Sequence, residues 1–265
     1  MKDFILLIPY YNDLNGLTVA LKSINYPSDK FEILIVDDGS AIKLNEEALR
    51  NILPGVIIKV LSLSQNSGIA IALNTGLKEL TKRTDFKYIA RLDCGDICYP
   101  NRFTQQVKFM DEHADIYLLG TWCKFTDSKT GKSYLYKTKT EHEDIIKEMH
   151  FKCSFIHPTV MLRKEVLYTI GSYPENYAHA EDYAYFWKII RQFKVAILPE
   201  TLVNITANMQ TISAANYKAQ IKSRVKVIKD FGSNKLLIFC GVFTTKIRML
   251  LPYSIILKTK VLLGR

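Results

Sequence analysis

The sequence predicts an α/β fold in which helices cover a mostly parallel, doubly wound sheet. Strand-length apolar segments alternate with helical segments in the first part of the chain, and short loops separate them. Segment 4–8 is continuously apolar and segment 31–36 is nearly so, a pattern typical of strands buried on both faces. Polar and acidic residues follow these strands, which places them together at the carboxyl edge of a parallel sheet.

The elements follow in order along the chain. Strands are predicted at 4–8, 31–36, 56–61 and 86–92, and helices from Asp13 or Asn15 to Ile24, at 45–52 and at 66–80. After residue 102 the alternation weakens: helices are predicted at 103–113, 141–149, 164–170 and 181–191, and extended segments at 116–125, 133–136, 155–162, 195–198 and 202–205. This second part is therefore expected to contain a mixed sheet.

The net charge of +10 is concentrated in the last fifth of the chain. Residues 1–212 carry 25 basic and 25 acidic side chains, whereas residues 213–265 carry 11 basic side chains and one acid, Asp230. A basic tail on a neutral body indicates a polyanionic partner. Short apolar blocks alternate with these cations, which favours an anionic membrane surface over nucleic acid. A basic helix packed back on the domain is the structural alternative.

The cysteines and the N-terminus indicate the compartment. Five cysteines at irregular spacing predict free thiols in a reducing environment, because Cys94 and Cys98 lack a second pair for a zinc site. The N-terminal apolar run is too short for a signal peptide, and no segment approaches the ~20 apolar residues of a spanning helix. We therefore expect a cytoplasmic protein, attached peripherally to the inner face of the cell membrane.

Three strand ends carry the first candidate site residues. They are Pro9, Tyr11 and Asn12 after the first strand, Asp37 and Asp38 after the second, and Asp93 and Asp96 after the fourth. Two carboxylates at such an edge can hold a divalent cation that also binds phosphate oxygens. The alternative is an Asp-Gly loop with solvated acids.

Six motifs in this order resemble the family-2 glycosyltransferases, over roughly residues 4–215. They are IPYYN at 8–12, VDDGS at 36–40, NSGIAIALNTGL at 66–77, ARLDCGDICYPNRFTQQ at 90–106, HPTVMLRKEVLYTIGSYPE at 157–175 and AEDYAYFWKI at 180–189. The resemblance implies an inverting enzyme of the GT-A fold that uses a nucleotide-sugar donor. We expect a nucleotide-sugar-binding part at 1–105, an acceptor-binding part of the same domain at 106–212, and a basic helical tail at 213–265.

The resemblance also implies a donor site. Its residues would be Pro9, Tyr11, Asp38, Asn66, Gly68, Asn74, Arg91 and Asp93. The first two would line the nucleobase pocket, and Asp38 would accept hydrogen bonds from the uracil or ribose. Asn66, Gly68 and Asn74 would shape the wall beside the nucleotide, although helix capping by Asn66 and close packing at Gly68 explain those two equally well. Arg91 would contact a phosphate or pair with an acid at the strand end.

The metal motif departs from the family pattern. Asp93 matches the first residue of Asp-x-Asp, but Gly95 replaces the second aspartate and Asp96 follows it. Either Asp96 replaces the missing ligand, or Asp93 binds the metal alone, or metal dependence is weaker. We favour Mg²⁺ or Mn²⁺ bridging the diphosphate, held by Asp93 and Asp96, because the leaving diphosphate develops charge that must be neutralised.

The motif at 180–189 supplies the catalytic candidates. The resemblance makes Asp182 the general base that takes the proton from the acceptor hydroxyl, with Glu181 orienting the loop or the acceptor. Acids at the start of a helix also suit its dipole, so a purely structural role is the alternative. His157 would contact the acceptor or the diphosphate, although an isolated histidine is more often structural.

Family and tail together predict a transferase that adds one sugar to a lipid-linked saccharide or lipopolysaccharide precursor in bacterial surface-polysaccharide synthesis. A UDP-sugar is the favoured donor, and a dTDP- or GDP-sugar is the alternative. A sugar nucleotidyltransferase would need a Gly-rich N-terminal loop with Lys and Arg, which segment 8–13 lacks. Because Gly95 departs from the metal motif, a non-catalytic homologue that binds a saccharide or a membrane is a further alternative.

Overall fold

The chain forms one mixed sheet covered by helices in a computed structural model that describes residues 1–207 and 212–250. The strands are β1 (Lys2–Tyr10), β2 (Phe31–Asp37), β3 (Ile57–Ser62), β4 (Phe86–Arg91), β5 (Ile97–Cys98), β6 (Ile116–Asp127), β7 (Ser133–Tyr136), β8 (Met161–Arg163) and β9 (Lys194–Ala207). The helices are α1 (Leu14–Lys22), α2 (Glu46–Ile52), α3 (Ile69–Leu80), α4 (Arg102–Glu112), α5 (His142–Met149), α6 (Glu165–Ile170), α7 (Glu181–Ile190), α8 (Ile212–Phe231) and α9 (Lys235–Leu250).

The first part of the sheet is parallel, as predicted. Strands β3, β2, β1 and β4 lie side by side in that order, with helices α1 to α3 in the crossovers between them. The carboxylate of Asp13 accepts a hydrogen bond from the N–H of Gly16 at 2.8 Å, so Asp13 rather than Asn15 caps α1. This topology brings the carboxyl ends of β1, β2 and β4 to one edge.

The second part of the sheet is mixed, which confirms the prediction. Strand β8 pairs antiparallel with both β4 and β6, and β9 runs parallel to β6. Segments 195–198 and 202–205, predicted as separate strands, form the single strand β9. It remains paired with β6 because irregularities in register around Thr121 and Trp122 absorb the intervening residues.

Two predicted elements are corrected. Helix α3 begins at Ile69 rather than Asn66, because Gly68 has a φ of 93°, which lies outside the helical region. Segment 155–162 is not continuously extended. A 3₁₀ turn at His157–Thr159 comes before β8, and Pro158 suits it because its fixed φ fits a first helical turn.

Apolar side chains pack on both faces of the sheet. On one face Phe4 stacks on Phe31 and Phe103, with ring centroids 5.2 and 4.7 Å apart. On the other face, helices α3, α6 and α7 bury a larger cluster that includes Trp187. The sheet edge is therefore held by packing on both sides, so that its loops can carry polar groups without losing position.

The C-terminal helices pack on each other, and α8 also packs on α7. The first part of the predicted basic tail is helical: it forms α8, which buries Ile221, Val227 and Ile228. No helix within residues 1–207 and 212–250 is long and apolar enough to span a membrane. The remainder of the predicted tail, residues 251–265, lies outside the described residues.

Candidate active site

The loop after β2 lies at the carboxyl edge of the sheet, beside the loop before α3. Asp38 accepts hydrogen bonds from the backbone N–H groups of Ser67 and Gly68 at 2.8 and 2.9 Å. Its neighbour Asp37 is buried and accepts from the N–H of Ser40 at 2.9 Å, which caps the turn after β2. Asp38 therefore fixes the loop that contains Asn66, and its contact with a nucleotide stays a prediction.

The end of β1 lies beside that loop. Asn12 has a φ of 51°, and its N–H donates to the hydroxyl of Ser40 at 2.9 Å. Its side-chain oxygen accepts from the N–H of Ala41 at 3.0 Å, so the loops after β1 and β2 are joined. Tyr11 remains about half exposed beside them and Pro9 is half-buried. An exposed ring at this edge suits the stacking surface expected for a nucleobase.

Asn74 joins two parts of the chain that are distant in sequence. Its side-chain oxygen accepts from the N–H of Tyr173 at 2.7 Å, and its NH₂ group donates to the carbonyl of the same residue at 3.0 Å. The amide thus holds the loop after α6 against α3. This contact gives Asn74 a positioning role that the sequence did not predict, and its donor contact stays a prediction.

Arg91 is buried at the end of β4 and pairs with an acid, one of the two alternatives left open by the sequence. Its guanidinium lies 2.6 Å from Oδ1 of Asp93 and also donates to the carbonyls of Leu7 and Leu92. Arg91 is 1% exposed, whereas the side chain of Asp93 is 32% exposed. The buried cation therefore holds a carboxylate that is partly exposed, and truncating it would leave that charge unpaired.

His157 lies behind this pair rather than at the surface. Its Nε2 is 2.9 Å from the hydroxyl of Tyr173 and 3.4 Å from Nε of Arg91. Burial and the charge of Arg91 hold the pKa of His157 well below its usual value, so the ring is neutral. A ring protonated at Nδ1 accepts both hydrogen bonds at Nε2. His157 thereby links β4 to the loop that Asn74 holds, and its predicted acceptor contact remains untested.

The turn between Asp93 and Asp96 explains the departure from the metal motif. Gly95 has a φ of 85°, a conformation that L residues rarely adopt, and its N–H donates to the carbonyl of Gly16 at 2.9 Å. Asp96 follows this bend and is 3% exposed, with Oδ1 accepting from the N–H of Thr206 on β9 at 3.2 Å. The bend therefore favours glycine at position 95 and turns the second carboxylate inward.

Asp93 and Asp96 offer carboxylate oxygens, the ligand type that Mg²⁺ and Mn²⁺ take, and their binding of a cation stays a prediction. Burial, together with the charge of Asp93, raises the pKa of Asp96 to about 8. A cation beside both groups would relieve that repulsion and favour their ionised forms. Among residues 1–207 and 212–250, no cluster of three or more His, Cys, Asp or Glu side chains could hold a metal, so the remaining ligands would be phosphate oxygens and water.

Glu181 and Asp182 open α7 in a desolvated position. Burial and the charge of Asp182 raise the pKa of Glu181 to about 7. Burial also raises the pKa of Asp182, although a hydrogen bond of 2.7 Å from the N–H of Tyr183 and the charge of Arg224 oppose the shift. The charge of Asp93 raises both pKa values, so this strand-end acid lies near the helix-start acids. Partly buried carboxyl groups with raised pKa values suit proton transfer.

Sequence reasoning did not single out Tyr173 or Arg224. Tyr173 lies within the motif at 157–175, so that motif was the available signal. Arg224 lies on α8, which the sequence assigned to a tail, and its effect on Asp182 arises because α8 packs on α7. No local pattern relates two residues that far apart in the chain.

Residues 5–171 match the model of Glycosyl transferase family 2. The chain belongs to this family. The match begins in β1 and ends just after α6, so that it includes Asp93 and His157 but not the acidic start of α7.

Two relatives indicate the biological setting of this family. The amylovoran biosynthesis glycosyltransferase AmsE of Erwinia amylovora is 30% identical over 233 residues, which are 85% of this chain and 84% of the relative. The UDP-Gal:alpha-D-GlcNAc-diphosphoundecaprenol beta-1,3-galactosyltransferase of Escherichia coli is 27% identical over 157 residues, covering 59% of this chain and 55% of that protein. The chain is thus a glycosyltransferase with relatives in polysaccharide biosynthesis.

Solved structures establish the fold. S. aureus TarS in complex with UDP-GlcNAc superimposes with a TM-score of 0.63 at 20% identity, covering 91% of this chain and 72% of that one. The mannosyltransferase PcManGT from Pyrobaculum calidifontis, in complex with GDP-Man and Mn²⁺, has a TM-score of 0.63 at 16% identity, covering 100% and 81%. The GT-A fold that the sequence implied is confirmed.

Proposed function

We propose that the protein is an inverting glycosyltransferase that moves one sugar from a nucleotide-sugar, a UDP-sugar by preference, to a lipid-linked saccharide acceptor. The observation that carries this proposal is the half-buried carboxylate of Asp182 at the start of α7, which lies near enough to Asp93 for that charge to raise its pKa. The names of the E. coli relative and of the TarS complex support a UDP donor. The relative's diphosphoundecaprenol acceptor supports a lipid-linked one.

The proposed reaction is one in-line displacement. Asp182 accepts the proton of the acceptor hydroxyl as that oxygen forms a bond to the anomeric carbon, and the bond from this carbon to the diphosphate oxygen breaks. Glu181 orients the acceptor beside it. Because the attacking and leaving oxygens lie on opposite faces of the sugar ring, the anomeric configuration inverts. The protein contributes position, a base and a desolvated cleft.

The leaving group needs charge neutralisation, and the strand-end acids are placed to provide it through a cation. Asp93 and Asp96 would hold Mg²⁺ or Mn²⁺, which neutralises charge on the diphosphate when bound. Arg91 keeps Asp93 in position from behind. Tyr11 and Asp38 line the nucleoside end of the cleft.

The biological role that we infer is surface-polysaccharide synthesis, of lipopolysaccharide, O-antigen or capsule, at the inner face of the bacterial membrane. The amylovoran relative supports a polysaccharide product. The transferred group would be a hexosyl or N-acetylhexosaminyl unit. An anionic membrane surface, contacted through residues 213–265, would keep the enzyme near its lipid-linked acceptor.

Nucleotide release across a panel of UDP-, GDP- and dTDP-sugars, with a membrane extract as acceptor, tests this function. We expect UDP release that depends on the extract. Asp182→Asn should retain donor binding, measured by calorimetry, and should lose at least about a hundredfold in transfer, because the base is absent. The control is Asp144→Asn, the same change at an exposed acid of α5 paired with Lys147.

Three results would contradict the proposal. Near-normal transfer by Asp182→Asn would remove this residue as the base. Release of pyrophosphate from a nucleoside triphosphate and a sugar phosphate would indicate a nucleotidyltransferase. Saccharide binding without any nucleotide release would indicate a non-catalytic homologue.

A further inference from the structure

Helix α9 presents an exposed row of apolar side chains. This α9 stripe consists of Leu236, Phe239, Phe243, Ile247 and Leu250, whose exposed fractions lie between 43% and 79%. The intervals of three and four residues place all five within about 80° of the helix circumference. Contiguous apolar faces of this kind mark interaction sites on folded proteins.

The opposite face of α9 is fixed to the domain. Gly241 and Thr245 are buried there, and a Cβ atom at Gly241 would lie 1.9 Å from the carbonyl oxygen of His150. Ile238 and Val242 pack on the larger apolar cluster. The helix backbone therefore lies directly on the end of α5, and the outward direction of the α9 stripe is set by these contacts.

The charges around the stripe identify its occupant. Lys235, Lys246 and Arg248 are exposed on the same helix. Six basic residues and no acidic residue follow Asp230 in the sequence. Helix geometry places Lys235 and Lys246 about 60–80° to one side of Phe243, at the margin of the stripe. Against a second copy of the chain these cations would face like charges, whereas anionic head groups are complementary to them.

We propose that the α9 stripe lies in the interface of an anionic lipid bilayer. Phe239 and Phe243 enter the boundary between head groups and acyl chains, and Lys235 and Lys246 contact lipid phosphates. This inference deepens the proposed function, since it names the surface that brings a lipid-linked acceptor to the enzyme. The binding itself does not depend on sugar transfer.

The contacts of α9 also relate this surface to the cleft. The N–H of Ser233, just before α9, donates to Nε2 of His150 at 3.2 Å. The ring of His150 meets Trp187 of α7 edge-on, with centroids 5.0 Å apart. Helix α7 begins with Glu181 and Asp182. A bilayer on the α9 stripe would therefore be positioned relative to the helix that carries the proposed base.

Vesicle flotation of the full chain tests the proposal. The probes are vesicles of phosphatidylcholine alone and of phosphatidylcholine with about one-third phosphatidylglycerol. We expect the wild type to float with the anionic vesicles, and the double variant Phe239→Ser/Phe243→Ser to bind them at least about tenfold more weakly. The matched control is Val19→Ser/Ile57→Ser, which removes two exposed apolar side chains from α1 and β3 and should bind as the wild type does.

The charge component has its own variant. Lys235→Gln/Lys246→Gln should reduce the preference for anionic over neutral vesicles. Added salt should reduce the same preference in the wild type, because it screens the attraction between the cations and the lipid phosphates. A wild type that does not float, or a Phe239→Ser/Phe243→Ser variant that floats unchanged, would overturn the proposal.

Two further measurements identify other occupants. If the wild type is a dimer by light scattering and Phe239→Ser/Phe243→Ser is a monomer, a second copy covers the stripe and the proposal fails. If this variant loses several degrees of melting temperature, the chain itself covers the stripe and the proposal fails. UDP release with a free saccharide acceptor should be unchanged in this variant. If neither the wild type nor the variant releases UDP but the wild type still binds vesicles, the result contradicts the proposed transferase activity and not the proposed membrane surface.

Discussion

Two pairs of acids lie near each other, and the fold gives them different surroundings. Asp93 follows a strand and lies against the buried guanidinium of Arg91. Glu181 and Asp182 open a helix, where burial raises the pKa of both carboxyl groups. Burial also raises the pKa of Asp96, so what distinguishes the first pair is the guanidinium that holds Asp93 in position. The strand-end pair suits a bridging cation, which would favour the ionised form of Asp96, and the helix-start pair suits a general base.

The largest expected effect comes from removing the cation that distinguishes the first pair. Arg91→Met leaves Asp93 without its partner and removes one donor from each of two backbone carbonyls. We expect a loss of about 2–3 kcal/mol in the free energy of unfolding, measured by urea denaturation, because the remaining carboxylate is partly exposed. Arg50→Met is the control because its ion pair with Glu46 is exposed, and it should cost no more than about 1 kcal/mol. Equal losses in both variants would contradict the role of the buried pair.

The next effect concerns the cation itself. We expect chelation to reduce transfer more than about tenfold, and Mn²⁺ or Mg²⁺ to restore it, because the diphosphate would leave without charge neutralisation. Asp93→Asn and Asp96→Asn should each raise the Mn²⁺ concentration needed for half-maximal activity by about tenfold. If only Asp93→Asn raises this Mn²⁺ concentration, Asp93 binds the metal without Asp96. Full activity in chelator would exclude a required metal.

A smaller effect is expected from the hydrogen bond between Tyr173 and His157, which lie behind Arg91 and Asp93. Tyr173→Phe removes the hydroxyl that lies 2.9 Å from Nε2 of His157. We expect a loss of about 1 kcal/mol in stability, typical of one buried hydrogen bond. Tyr168→Phe should be neutral, since its exposed hydroxyl makes only a long contact of 3.5 Å to the carbonyl of Arg83. An equal loss in the two variants would show that the His157 contact contributes nothing specific.

The smallest effect tests the second pair through its pH dependence. Transfer requires ionised Asp182, whose pKa is raised by burial, so activity should fall as pH drops through that raised pKa. The charge of Arg224 lowers the pKa of Asp182. Arg224→Gln should therefore raise that pKa and move the acid limb of the kcat/KM profile to higher pH. Lys222→Gln, an exposed cation on the same helix, should leave the limb in place.

The sequence predicted the site more completely at the strand ends than elsewhere. Each parallel strand ends in polar residues, and one topology carries all of these ends to one edge, so Asp38 and Asp93 could be placed without coordinates. The predicted ends of helices were less accurate where a single residue has a non-helical backbone conformation, as Gly68 does before α3. The division of the chain at residues 105 and 212 stays a prediction, although β9 pairs with β6 and α8 packs on α7.

The sequence by itself determined the alternation of strands and helices, the acids at the strand ends, the basic C-terminal segment and the family. These follow from local periodicity and from motifs that are contiguous in the chain. Only the tertiary structure decided that Arg91 pairs with Asp93, that Asn74 holds Tyr173, and which face of α9 is exposed. The reason is physical: burial, and with it the strength of a charge or hydrogen bond, depends on which distant segments pack together.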